Sequence, residues 1–141
     1  MTYSILPSPK PISSLGCWES QLPHFTEVVG YSWLGHFFLK NAQTNEFAVL
    51  HPFRQAYKNY GNFKSVVEFE LSVLADESFS EYVLKPKHQL AIKALIGELG
   101  QEEVYIPTPY PFLGGNEEPE TYMKGNVWVF AELVGISHGF E

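Results

Sequence analysis

The clearest fold signal in the chain is WLGHFFLKNAQTNEFAVLHP, residues 33–52. Residues 33–40 and 46–51 are rich in β-forming side chains, and the polar run 41–45 separates them. Two such runs around a short polar turn predict an antiparallel hairpin. Pro52 is expected to end the second strand because proline has no N–H to donate to a strand ladder.

The segment before this hairpin extends the same pattern. Residues 24–31 alternate between two sets of side chains with a period of two, so an antiparallel meander is predicted over residues 24–51. Residues 1–16 contain three prolines and several serines, which predicts an extended N-terminal arm.

The middle of the chain has the spacing of amphipathic helices. Asn62 is predicted to cap the first helix, whose apolar face comprises Phe63, Val66, Val67, Leu71 and Leu74. A short second helix is predicted over residues 76–84. The third is expected to begin at Pro86 and to end near Gly97 or Gly100. Its predicted core positions are Leu90, Ala91, Ala94 and Leu95.

The last part of the chain returns to apolar runs. Residues 103–107 predict a strand. Residues 126–135 are apolar on both faces, which favours a strand covered on both sides at the centre of the sheet, with a helix of the same length as the alternative. The sequence as a whole predicts one α+β domain, residues 1–141, with a mostly antiparallel sheet and two or three helices packed on one face.

The charge is unevenly distributed along the chain. Residues 1–61 contain three acids and four bases, whereas residues 62–141 contain thirteen acids and five bases, and the formal net charge of the chain is -7. An acidic half repels nucleic-acid phosphates, so direct nucleic-acid binding is not expected. It attracts a basic protein, although a negative surface also simply favours solubility.

No motif for catalysis or metal binding is present. The five histidines form no His-x-x-x-His pair, the single Cys17 lies near no histidine motif, and there is no nucleophile elbow or Walker loop. We therefore predict a protein that is not an enzyme, without catalytic residues, metal ligands or cofactor. The N-terminus lacks the features of a signal peptide, and no apolar run is long enough to span a bilayer, so a cytoplasmic protein without membrane association is predicted.

The loop LGGNEEPETYMKG, residues 113–125, is the candidate binding surface. Six acids and no base lie between Glu98 and Glu120, next to several aromatic residues. Carboxylates steer a basic partner and aromatic side chains supply affinity. The predicted partner-binding residues are Glu117, Glu118, Glu120, Tyr110, Phe112 and Tyr122. The alternative is that the aromatic residues only close one end of the core.

Two segments resemble a bacterial family: GYSWLGHFFL, residues 30–39, and PYPFLGGNEEPETYMKGNVWVFAELVGISHG, residues 109–139. The family is the domain that forms the C-terminal half of immunity proteins against a DNase toxin delivered by type VI secretion, long described as a domain of unknown function. The resemblance covers about residues 29–139. The SUKH immunity superfamily has a similar glycine-rich hairpin and α+β layout and is the second choice.

The resemblance implies a non-enzymatic, antitoxin-like protein that binds and blocks a basic toxin, as an acidic loop does when it occupies the cleft of a nuclease. It transfers no contact residue, because the family's contacts are not tied to a motif found here. The alternative function is a regulatory or accessory module that binds a small ligand in an aromatic pocket near Trp33, Trp128 and Tyr105. The sequence does not specify an oligomeric state.

Overall fold

The computed structural model describes all residues from Met1 to Glu141. Its main sheet is an antiparallel meander of five strands in the order β1-β2-β3-β4-β5. These strands are Tyr3–Pro11 (β1), Glu27–Ser32 (β2), Phe37–Lys40 (β3), Glu46–His51 (β4) and Ala56–Asn62 (β5). The predicted hairpin is β3–β4, and β4 ends directly before Pro52 as expected.

Both faces of the central hairpin are buried. Phe37 pairs with Leu50 and Phe38 with Val49, and successive side chains of a strand point to opposite faces. Phe37 and Leu50 therefore contribute to one core cluster, whereas Phe38 and Val49 contribute to another. This two-sided burial explains why the hairpin is apolar at almost every position.

The N-terminal prediction requires correction. Residues 3–11 are extended as predicted, but they do not form a separate arm, because β1 pairs with β2 as an edge strand of the sheet. A 3-10 segment, Ile12–Gln21, follows and buries Trp18 against the face of the main sheet that carries Phe37 and Leu50, which we call the first face. The prolines are compatible with this position since an edge strand needs fewer N–H donors than a central strand.

The second face of the main sheet, which carries Phe38 and Val49, is covered by two short helices, each of which continues into a π-type turn. They are Val66–Phe69 (α1), which continues to Leu74, and Glu77–Phe79 (α2), which continues to Leu84. The cap of α1 is Ser65, whose hydroxyl accepts a hydrogen bond from the Glu68 amide, and not Asn62, which lies in β5. The π-type turn changes the spacing of the apolar stripe after Glu70, so Leu71 is exposed while Leu74 is buried. Val67, in α1 itself, is also exposed, and Phe69 and Val73 are the buried positions beside it.

The third helix packs on a separate two-stranded sheet. Helix α3, Pro86–Ile96, begins at the predicted proline, and Gly97 ends it. The small sheet consists of Glu103–Pro107 (β6) and Tyr122–Asn126 (β7). The predicted core face of α3 was wrong. Leu90, Ala91, Ala94 and Leu95 are exposed, and the buried positions are Gln89 and Ile92.

Residues 127–137 form a helix, Val127–Ser137 (α4), and not the favoured central strand. The buried positions Val127, Phe130, Ala131 and Val134 have helical spacing and pack on the first face of the main sheet. Val129, Leu133 and Ile136 on the outer side are also apolar but exposed. The outer apolar residues hide the helical period in the sequence.

A single side chain initiates α4. The Asn126 amide oxygen accepts hydrogen bonds from the Trp128 and Val129 amides at 2.9 and 3.0 Å. Asn126→Ala is expected to lower the free energy of unfolding by about 0.5–2 kcal/mol, because both amides lose this acceptor. Urea denaturation measures the change. Asn126→Ser, which keeps a capping oxygen, is the control, and an equal loss in both variants would contradict the capping role.

The α+β class with a mostly antiparallel sheet is confirmed. The helices are distributed over both faces of the main sheet, with α4 on one and α1 and α2 on the other, rather than over one face. No helix combines the length and the apolar character that a bilayer crossing requires. The loop between β6 and β7 borders three of the surfaces described below.

Candidate functional site

A cleft of about 640 Å³ opens beside the end of the β3–β4 hairpin. We call it the histidine cleft. Its polar and charged lining residues are His36, His51, Arg54, Tyr82, Lys85, His88, Glu117 and Tyr122. They come from the β2–β3 turn, β4 and the turn after it, the segment after α2, helix α3, the β6–β7 loop and β7, so the cleft exists only in the folded chain.

Hydrogen bonding to Ser32 determines which ring nitrogen of His36 carries the proton. The Ser32 hydroxyl oxygen accepts hydrogen bonds from the Leu34 and His36 backbone amides, so its own proton is free to be donated to His36 Nδ1, 2.7 Å away. Burial, with added repulsion from His51, Lys85 and Arg54, lowers the pKa of His36 to about 3. The ring is therefore neutral at pH 7 and carries its proton on Nε2, while its one side-chain hydrogen bond is made by Nδ1.

His51 and the two cations of the cleft are also without partners. The His51 ring lies edge-on to His36, with 4.9 Å between ring centroids, and makes no side-chain hydrogen bond. Burial and the nearby Arg54 lower its pKa. Arg54 and Lys85 form no ion pair, although the protein is acidic overall.

His88 and Tyr122 form a pair on the opposite wall. The Tyr122 hydroxyl lies 3.1 Å from His88 Nε2. Burial and the Glu117 carboxylate raise the pKa of Tyr122, so its hydroxyl stays protonated. Burial lowers the pKa of His88, and Lys85 acts in the same direction against the opposing pull of Glu117 and Glu118.

A second depression of about 1020 Å³ adjoins the histidine cleft and shares Lys85, His88 and Glu117 with it. We call it the acidic groove. Glu77 and Glu81 of the α2 segment line one part, and Glu117 and Glu118 of the β6–β7 loop line another. None of the four carboxylates forms an ion pair.

The loop is shaped by its glycine pair. Gly114 has a φ of 97°, which favours glycine, and a Cβ at Gly115 would overlap the carbonyl oxygen of Pro109. The chain therefore turns sharply after Leu113, as the sequence indicated. The turn carries the acidic residues away from the core and toward α2 and α3.

The predicted partner-binding residues separate into two groups. Glu117 and Glu118 line the acidic groove, while Glu120 is exposed beyond it. The aromatic residues are less accessible. Tyr110 and Phe112 are half-buried and packed against the main core, and Tyr122 is 8% exposed.

The aromatic residues thus hold one end of the core. Tyr110 and Phe112 stack on each other, and the Phe112 ring lies 4.1 Å from the ring of His138. His138 Nε2 in turn lies 2.8 Å from the Pro52 carbonyl oxygen. These contacts tie the C-terminus, the β6–β7 loop and the Pro52–Arg54 turn together, and so position two walls of the histidine cleft.

An apolar groove of about 370 Å³ lies on the other face of the β6–β7 sheet. Tyr122 points to the α3 side, whereas the next residue, Met123, points to the α4 side. The exposed large apolar residues of this groove are Leu113, Met123, Val129 and Leu133. The β6–β7 loop therefore has a charged surface on one side and an apolar surface on the other.

The small-ligand pocket predicted near three aromatic residues forms in part. Trp33 and Tyr105 line one pocket of about 330 Å³ beside α3. Trp128 lies elsewhere and packs near Tyr31 and Lys10. The pocket therefore has two of the three expected walls.

An enzyme that uses acid–base catalysis would need a histidine and a carboxylate in one cleft. His88 and Glu117 both line the histidine cleft. No serine, threonine or cysteine lines that cleft, and Cys17 is buried elsewhere with its pKa raised by burial. No group of three His, Cys, Asp or Glu side chains is arranged to hold a metal ion. The cleft thus offers hydrogen bonds, charge and proton transfer, without a hydroxyl or thiol nucleophile other than tyrosine.

No sequence motif indicated the histidine cleft. His36, His51 and His88 are widely separated in sequence and follow no ligand or catalytic spacing. The one local signal was the His51-Pro52 step at the end of a predicted strand, which places a polar side chain where the strand ends. Only the fold brings the three rings to the same opening.

No family model matches the sequence, and no curated protein is significantly similar to it. Among solved structures, the fold is similar to the crystal structure of Atu4351 from Agrobacterium tumefaciens, with a TM-score of 0.68 and 15% sequence identity. The similarity covers 94% of this chain and 66% of that chain, so this chain spans less than two thirds of its neighbour's length. At this identity the similarity concerns the fold alone.

Proposed function

We propose that the protein is a non-enzymatic, immunity-like protein that binds and blocks a basic toxin, of the nuclease type, through the acidic groove. The observation that carries this proposal is the convergence of Glu77, Glu81, Glu117 and Glu118 on one groove without an ion-pair partner. Two separate segments supply these carboxylates, so the folded chain presents them together.

The composition of the groove favours a protein over a small molecule. Small-molecule pockets are mainly apolar with a few polar groups, whereas this groove is wide and its walls are mostly charged or polar. Four carboxylates against Lys85 and Lys87 leave the groove negative. Lysine and arginine side chains of a partner would neutralise this excess.

The apolar groove supplies the second element of a protein interface. Leu113 and Met123 are exposed on the other side of the same loop. A partner that grips the loop contacts charged residues on one side and apolar residues on the other. Charge then accelerates association, and apolar burial slows dissociation. These side chains replace Tyr110, Phe112 and Tyr122, which are packed into the core, as the apolar anchors of the proposed interface.

Affinity capture from a lysate of the source organism tests the proposal with three baits. They are the native protein, the groove variant Glu117→Lys with Glu118→Lys, and the control variant Glu19→Lys with Glu141→Lys. Glu19 and Glu141 are exposed and lie outside the groove, so the two variants change the net charge equally. The native and control baits are expected to retain one basic protein that the groove variant loses.

Association rates and inhibition are then measured with the purified protein and its purified partner. The groove variant should associate about tenfold more slowly, and the difference should shrink as salt is raised, because added ions screen exposed charges. The native protein should also inhibit the partner's nuclease activity at a one-to-one ratio. Equal weakening by both variants would show that net charge and not the groove matters. Binding without inhibition would refute the immunity function.

A further inference from the structure

We propose that the histidine cleft binds a small ligand through a phosphate or carboxylate group, held by Arg54, Lys85 and the Nε2–H of His36. This site adjoins the acidic groove proposed to bind a partner protein and shares Lys85, His88 and Glu117 with it, but it prefers the opposite charge. It does not depend on that proposal.

The charged side chains of the histidine cleft give it a positive charge. Arg54, in the turn after β4, and Lys85, in the segment before α3, both line the opening and have no carboxylate partner. Glu117 is the only acid in the lining, so the cleft is positive within a protein of net charge -7. Unpaired cations around one concave surface attract an anion, and arginine presents a paired set of donors to it.

The cleft also contains two neutral hydrogen-bond donors, the rings of His36 and His51. The Ser32 hydroxyl holds His36 in the tautomer with a proton on Nε2, and this N–H has no acceptor in the protein. The adjacent His51 ring also has no hydrogen-bond partner. A bound phosphate or carboxylate would accept from both rings. The lowered pKa of His36, to which Lys85 and Arg54 contribute, agrees with a positive potential in the cleft.

The backbone holds the charged residues in place. Lys85 and Glu117, on two walls of the cleft, have φ values of 49° and 58°, which residues other than glycine rarely adopt. Gln55, directly after Arg54, has a φ of 52° and is held by a 2.9 Å hydrogen bond to His138. Such conformations cluster where a fold presents side chains to a ligand. The volume of about 640 Å³ accommodates a small organic anion.

NMR titration of the whole protein with inorganic phosphate, and separately with acetate, tests the proposal. The ring resonances of His36 and His51 should shift saturably with one of the two anions. The test variant is Arg54→Gln with Lys85→Asn, since asparagine tolerates the backbone conformation of Lys85. The control variant, Lys58→Gln with Lys64→Gln, removes the same charge from exposed positions outside the cleft.

Affinity should fall about tenfold in the cleft variant and stay unchanged in the control, since charge-assisted hydrogen bonds are lost only in the former. Tighter binding of phosphate would assign the site to phosphorylated ligands, and tighter binding of acetate to carboxylates. The absence of a saturable shift in the His36 ring of the native protein would overturn the proposal. So would equal weakening in both variants, because that result indicates unspecific surface electrostatics.

Discussion

Replacement of Trp18 by alanine is expected to lower the free energy of unfolding by about 3–5 kcal/mol, because it removes a large side chain from the core. Trp18 is 2% exposed and connects the N-terminal 3-10 segment to α4. Its indole N–H donates a 2.9 Å hydrogen bond to the Ala131 carbonyl oxygen. The side chain also packs against Gly135, where a Cβ would lie 3.0 Å from the indole nitrogen.

Thermal and urea denaturation would measure this loss, which corresponds to a decrease of about 10 °C or more in Tm. Trp18→Phe keeps part of the ring packing and removes the hydrogen bond, so an intermediate loss is expected. Tyr82→Ala, at an aromatic residue that is mostly exposed, should change stability by less than about 0.5 kcal/mol. A small effect of Trp18→Ala would contradict the docking of the N-terminal segment on α4.

Acid is expected to destabilise the protein through His36. The pKa of His36 is about 3 in the folded protein, compared with 6.5 for an ordinary histidine. Below about pH 6.5 the unfolded chain therefore binds a proton that the folded protein refuses. Above pH 6.5 the ring is neutral in both states, so His36 costs no stability there. As the pH falls from 6.5 toward 3, only the unfolded chain gains the proton, and the free energy of unfolding decreases. For this residue the loss reaches about 2 kcal/mol between pH 6.5 and pH 5. The lowered pKa values of His51 and His88 act in the same direction.

Urea denaturation at about pH 7 and pH 5 would isolate this effect by comparing the native protein with His36→Gln. The variant should lose less stability over the interval, because it has one fewer histidine to protonate on unfolding. The ring resonances of His36 in the native protein provide a measurement that needs no variant. They should not titrate between pH 7 and pH 5. A His36 ring that titrates near pH 6.5 would contradict the lowered pKa.

Local chemistry made the central hairpin and the start of α3 predictable. The polar run 41–45 closes β3–β4, and the Asn41 amide oxygen accepts two backbone hydrogen bonds inside that turn. Pro52 ends β4 and Pro86 begins α3 because proline lacks an N–H wherever it stands. These features depend on neighbouring residues and therefore appear in the sequence.

The errors occurred where distant parts of the chain override the local pattern. Val67 and Leu71 have the apolar character of a core face, but Phe69 and Val73 are the side chains that pack into the core, and Val67 and Leu71 are exposed. Residues 126–135 predict a buried strand because the outer face of α4 is almost as apolar as its inner face. Asn126 was the local helix signal, and its capping role is apparent only with α4 in place.

The candidate surfaces were predictable to different degrees. Glu117 and Glu118 were identified from the run of acids, but their partners across the groove, Glu77 and Glu81, were not. Tyr110 and Phe112 had been interpreted as surface anchors, and they are half-buried. A sequence records which residues are charged or aromatic, whereas exposure depends on what the rest of the fold places against them.

The sequence alone specified the β2–β4 part of the antiparallel meander, the α+β class, the acidic C-terminal half and the sharp turn at Gly114. Each of these follows from side-chain chemistry and backbone preferences over a few neighbouring residues. The fold alone decided that three histidines and two unpaired cations share one cleft and that four carboxylates share the groove beside it. Charge and hydrogen-bond potential act through space, and residues far apart in the sequence can line one cleft, as His36 and Tyr122 do at 86 positions apart.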